Sequence, residues 1–213
     1  MDMLQVMIAG PEGTPYSAGL FIFDVYFPPL YPSKPPMVNL QTTGRGTVRF
    51  NPNLYNCGKV CLSILGTWEG QEGETWNENI STFLQVIVSI QSLILVDDPY
   101  YNEPGFEKGM GSAESTKANA SYTANIREGT ARWAILDHLT SPKNSAFEDV
   151  INNHFYLRRA FILEQLESWI KDMADKPYLA ASQERLKGKL AEAKKALNAL
   201  KRTEEIDEAE GGR

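Results

Sequence analysis

The chain of 213 residues has only two cysteines and two histidines. Two cysteines cannot build a disulfide framework, so the expected setting is reducing, with cytoplasmic localisation. A zinc site needs four ligands in paired Cys/His spacing. His138 and His154 are instead isolated, each inside a helical pattern. An excess of basic charge is also missing. The net charge is −6 and the pI near 5.1, which disfavours nucleic acid and anionic membranes as main partners. No run of 18 apolar residues is present, so no membrane span is expected. The opening "MDMLQVMIAGPEG" has no basic region followed by a long apolar stretch and is no secretory signal. Without one, the N-x-S tripeptides at Asn79 and Asn119 carry no weight. No internal repeat is visible, and no motif implies a cofactor.

Hydrophobic residues make up 42% of the chain, enough for one ordinary core. "LQVMI" (4–8), "LFIFDVYF" (20–27) and "MVNLQ" (37–41) read as strands. In the second, Phe21, Phe23, Val25 and Phe27 alternate with Leu20, Ile22, Asp24 and Tyr26. The links are too short for crossover helices, which implies an antiparallel meander. Residues 44–79 are rich in Gly, Asn and Pro and include Trp68 and Trp76; so long a loop region with aromatics suggests function. "STFLQVIVSIQSLILV" (81–96) is the clearest helix, apolar on almost every face and therefore expected to be buried on the sheet. Thr82 and Gln85 fit a reciprocal cap. Helical pattern resumes over 112–140 and 145–175, with a break suggested near His154. From 177 a charged helix carries the narrow stripe Leu186, Leu190, Leu197 and Leu200, expected to face solvent or a partner, before a fraying acidic end. The expected class is α+β: an antiparallel meander on a buried central helix, with a helical C-terminal extension. The expected divisions are 1–112, 113–176 and 177–213.

Both cysteines lie in "FNPNLYNCGKVCLSIL", four positions apart. A disulfide needs Cα atoms within about 7 Å, whereas four extended residues span about 13 Å. A papain-like thiol needs a histidine base, and both histidines are far along the chain. Cys57, beside Asn56 and Gly58, looks like a turn thiol. Cys61, in "VCLSIL", reads equally as a core residue or as a nucleophile. Acyl transfer from a thioester would need an accessible thiol of ordinary pKa and a donor for the oxyanion, and an acid could assist an attacking amine. Asn53 and Glu103 could serve, although each has an ordinary alternative as turn former or surface acid.

Several motifs change that balance. G-P-x-x-T-P-Y-x-x-G-x-F (10–21), F-P-x-x-Y-P-x-x-P-P (27–36), the Pro-Asn step eight residues before Cys61, "CLSIL", and the later "PYYNEP" occur in order over about 100 residues. Together they resemble the ubiquitin-conjugating enzyme domain. The "LGTWEGQEGETW" loop is similar to that of large enzymes acting as conjugase and ligase in one, the giant inhibitor-of-apoptosis kind among them. The resemblance implies that Cys61 accepts ubiquitin as a thioester, that Asn53 steadies the oxyanion and the local loop, and that Glu103 helps the incoming lysine. It implies that Tyr101 and Asn102 line the gate and that Asn51 and Tyr55 are structural neighbours. The implied partners are ubiquitin, its activating enzyme and protein substrates.

Three departures bear on these expectations. Asn51 stands where the family usually has a structural histidine, so the local hydrogen bonding must differ. Ser33 and Asn77-Glu78-Asn79 replace the residues that usually dock ligases, which suits an enzyme choosing substrates through other domains. The match starts at about the first strand, implying a piece of a larger polypeptide or weak charging.

Overall fold

The computed structural model describes residues 2–71, 73–141 and 146–201. Three strands, β1 (Met3–Ala9), β2 (Leu20–Tyr26) and β3 (Met37–Leu40), form one antiparallel sheet in the order β1-β2-β3. Ile8 pairs with Phe21 and Val25 with Val38. The β1–β2 connection closes by a hydrogen bond from Gly10 N to Gly19 O at 2.9 Å. A Cβ on Gly10 would sit 1.9 Å from Tyr16 O, so the first glycine of the motif is required by close backbone approach.

The alternation in β2 separates two cores. Phe21, Phe23 and Val25 are fully buried, and the two phenylalanines share a core with Val86, Ile90 and Ile94 of the central helix. That helix comprises α1 (Phe83–Ser89) and a wider π turn over Ile90–Ile94. Its start is the expected reciprocal cap: Gln85 N donates to Thr82 Oγ1 at 3.3 Å, and Thr82 N donates to Gln85 Oε1 at 2.7 Å. The expectation of a helix buried all round is corrected. Leu84, Val88 and Leu93 are exposed, because the small sheet covers only one side of the helix.

Leu20, pointing the other way, joins a second core made by helices α2 (Ala113–Gly129), continued by a π stretch Thr130–Leu136, α3 (Asp137–Thr140), α4 (Glu148–Asp172) and α5 (Ala180–Ala199). α4 runs unbroken through His154, so the suggested break there is absent. Position 145, the expected start of that helix, lies outside the described residues. His154 Nε2 approaches Ala18 O at 3.2 Å and His138 Nε2 approaches Leu20 O at 2.9 Å. Both histidines thus hold the entry of β2 to the helices. Burial is the main reason the His154 pKa lies below the ordinary histidine value.

α5 also departs from expectation. Leu186, Ala193 and Leu197 are buried in the second core, with Leu190 and Leu200 packed against it. Small Ser182 and Ala193 complete the buried row, and sequence reasoning on leucines alone leaves them out. The acidic end after residue 201 lies outside the described residues. No helix among the described residues is long and apolar enough to cross a membrane.

Candidate active site

The eight-residue spacing of Asn53 and Cys61 has a simple structural origin. Residues 53–61 form a small hairpin: Cys61 N donates to Asn53 O at 2.9 Å, and Tyr55 N to Lys59 O at 3.0 Å. The turn uses Gly58 at φ +89°, a left-handed conformation that disfavours side chains. Leu40 N donates to Gly58 O at 2.7 Å, which fastens the hairpin to the edge of β3. Cys57 is exposed on this turn and Cys61 is buried, and both are free thiols. Cross-strand pairing brings the Asn53 amide back onto Cys61: Nδ2 donates to Cys61 O at 2.9 Å. One N–H of that amide fixes the backbone of the cysteine, and an amide carries a second.

Asn51 explains how a buried asparagine stands at this position. Its Nδ2 donates to Ile94 O at 2.8 Å and to Tyr16 OH at 3.4 Å, while its Oδ1 accepts from Asn53 N at 2.8 Å. Tyr16 OH in turn donates to Phe50 O at 2.7 Å. Asn102 Nδ2 donates to Leu93 O at 2.9 Å and approaches Asn51 Oδ1 at 3.4 Å. The end of a helix leaves carbonyls without intrahelical partners. Here two asparagine amides occupy those of Leu93 and Ile94 at the π turn, a distortion common at functional sites.

Cys61 opens onto a cleft of about 510 Å³ whose walls include Asn53, Ser63, Trp68, Glu74, Leu93 and Asn102. The residue itself is only 1% exposed. Cys61 is thus less accessible, and its thiol higher in pKa, than the acyl-transfer reading calls for. Burial pushes the Cys61 thiol up, opposed by the nearby charges of Lys59 and Arg49.

The other expected site residues are spread around this cleft. Tyr101 does not line it; its hydroxyl accepts from Ser115 Oγ at 3.2 Å and so ties the short helical turn Pro99–Asn102 to α2. Glu103 does not line it either, and its Oε2 lies 3.5 Å from Arg49 Nη2. Tyr55 lies beneath Arg49, whose guanidinium carbon is 4.4 Å from the ring centroid. Arg49 also donates to Pro52 O at 2.6 Å, so it joins the hairpin to Glu103. Arg49, Trp68 and Glu74 join this region only through the fold; in the sequence, the two tryptophans of the loop are the one signal. Among the described residues no group of three or more His, Cys, Asp or Glu side chains could hold a metal ion.

Cys61 thus sits at the floor of a cleft with its backbone held by the Asn53 amide. Residues 1–130 match the ubiquitin-conjugating enzyme family, and the chain belongs to that family. It is 55% identical over 173 residues, 81% of its length, to the human dual E2 ubiquitin-conjugating enzyme/E3 ubiquitin-protein ligase BIRC6, of which it covers 4%. It is 49% identical over 175 residues, 82% of its length, to the probable ubiquitin-conjugating enzyme protein 17 of Caenorhabditis elegans, covering 24% of it. Over 156 residues, 73% of its length, it is 49% identical to the probable ubiquitin-conjugating enzyme E2 25 of Arabidopsis thaliana, covering 25%. The chain thus spans a quarter or less of the length of these three relatives.

Proposed function

We propose that this chain is the conjugating domain of a larger ubiquitin transferase, a hybrid conjugase/ligase of the kind its relative's name describes. Its activating enzyme delivers ubiquitin as a thioester, and the Cys61 thiolate displaces the carrier thiolate. The neutral Nζ of a substrate lysine then attacks the thioester carbonyl. The C–N bond forms, the C–S bond breaks, the Cys61 thiolate leaves and the amine proton passes to a base. Asn53 keeps the cysteine backbone in place and offers its second N–H to the oxyanion. Tyr101 and Asn102 form the gate, and Glu103 assists lysine approach from outside the cleft, with Asn51 and Tyr55 supporting the loop. A cytoplasmic setting and a role in inhibiting apoptosis belong to the same proposal.

The observation that carries this reading is the Asn53–Cys61 pairing at the base of the cleft. The test is incubation with ubiquitin-activating enzyme, ATP-Mg and ubiquitin, followed by a non-reducing gel. A thiol-sensitive adduct that vanishes in Cys61→Ala and survives in Cys57→Ala is expected. No adduct, on this chain or on one lengthened at its N-terminus, leaves a non-catalytic binding module instead. Because the thiol pKa is raised, charging should accelerate as pH rises above neutrality.

A further inference from the structure

The acid expected to meet an incoming lysine, Glu103, lies outside the cleft and against Arg49. Another carboxylate does line it. Among the described residues, Glu74 is the one acidic side chain on the cleft wall, and Trp68 stands on the same wall. Both come from the loop that follows the cysteine.

That loop is fastened to the cysteine segment by a series of contacts. Thr67 Oγ1 donates to Val60 O at 2.7 Å and accepts from Leu62 N at 3.0 Å, so it brackets Cys61. Ser63 Oγ donates to Glu69 O at 3.3 Å. Gly70 lies so close to Ser63 that a Cβ there would fall 2.5 Å from the serine Cβ. Gln71 N donates to Glu74 Oε2 at 3.0 Å, which orients the carboxylate and leaves its other oxygen available. Glu74 and Trp68 are both exposed, so a solute in the cleft can reach them.

A lysine entering the cleft brings a long apolar stem and a terminal ammonium. An indole face receives both parts, the stem by contact and the ammonium by cation–π attraction. A carboxylate adds a charge-assisted hydrogen bond. From this we infer that Glu74 and Trp68 select the acceptor amine, recognising the ammonium of a substrate lysine and guiding it toward Cys61. This rests on the proposed ubiquitin transfer at Cys61 and adds the determinant of acceptor choice. Both side chains are specificity residues, whereas Cys61 performs the chemistry.

The test uses the charged chain, isolated as its Cys61 thioester, and two nucleophiles. Nα-acetyl-lysine carries an ammonium at neutral pH; hydroxylamine is small and uncharged. Glu74→Gln should charge normally, discharge to hydroxylamine at the parent rate, and discharge to Nα-acetyl-lysine about five- to tenfold more slowly through a raised KM. Trp68→Ala should act in the same direction, and Glu74→Asp should restore part of the lysine rate. Rising salt should weaken lysine discharge in the parent and have little effect in Glu74→Gln. Equal lysine discharge in parent and Glu74→Gln overturns the inference. So does an equal loss with both nucleophiles, which would mark a damaged loop. A lysine-specific loss in Glu103→Gln with none in Glu74→Gln would also overturn it, placing acceptor selection on Glu103. Failure of the parent to charge would instead count against the transfer reaction itself.

Discussion

The two sides of this molecule are held together differently. On the helical side, Leu20, Phe155, Trp169, Leu186 and Leu197 pack as apolar bodies, and most of the favourable free energy there comes from area removed from water. Around Cys61 the chain follows directed hydrogen bonds from Asn51, Asn53, Thr67 and Asn102, most of them to backbone groups. Each such bond contributes little net stability, but leaving a buried partner unsatisfied is expensive. The comparison teaches that stability and site geometry are largely separate properties here. Mutations should therefore be able to damage one while sparing the other.

The largest effect should come from the helical side. Phe155 is fully buried beside His154, with ring centroids 5.1 Å apart. Phe155→Ala should lower unfolding free energy by about 3–5 kcal/mol, as large-to-small core changes do. Urea titration would measure it, and the fraction that stays folded should still charge at Cys61. Leu186→Ala comes next, at about 2–4 kcal/mol, because Leu186 is buried in the same core. A change under about 0.5 kcal/mol would mean instead that α5 behaves as a solvated arm.

Asn51→Ala should have a smaller thermodynamic effect and a larger local one. It removes the amide that serves Ile94 O and Tyr16 OH and frees Asn53 N. About 1–3 kcal/mol should be lost. Lysine discharge from the Cys61 thioester should fall further than stability predicts, since Asn53 and Asn102 both lean on Asn51. Parallel loss of stability and discharge would show that the asparagine network has no separate influence on the site.

The same division explains which features could be read from the chain. The β2 alternation and the Thr82–Gln85 cap are local patterns with one physical meaning, and both appear where expected. Asn53 and Cys61 stand out in the sequence only through the family resemblance, whose eight-residue spacing the structure shows to be a hairpin. Glu74 and Trp68 were not, since their place on the cleft depends on a loop folding back over Ser63. The Asn51 contacts to Tyr16 and Ile94 join residues 35 and 43 positions apart, a separation no local pattern reveals. The leucine stripe of α5 misled because the packing surface also used alanine and serine.

The smallest predicted effect tests the seam between the two sides. His154, on α4, meets the carbonyl of Ala18 just before β2. Burial lowers its pKa; the contact with Ala18 O works against that and Arg158 works with it. An ordinary histidine in the unfolded chain titrates near about 6.5. As pH falls through that value, the unfolded chain takes up a proton that the folded chain resists, so folding stability falls with it. The contribution is fully present above the unfolded pKa and is lost progressively as the medium becomes acidic. Urea midpoints at pH 7.5 and 5.5 would measure the slope. His154→Gln keeps a donor for Ala18 O but cannot titrate, and its slope should be shallower than the parent's. Identical slopes would assign the acid sensitivity to carboxylates elsewhere and leave His154 as a simple hydrogen-bonding link between helix and sheet.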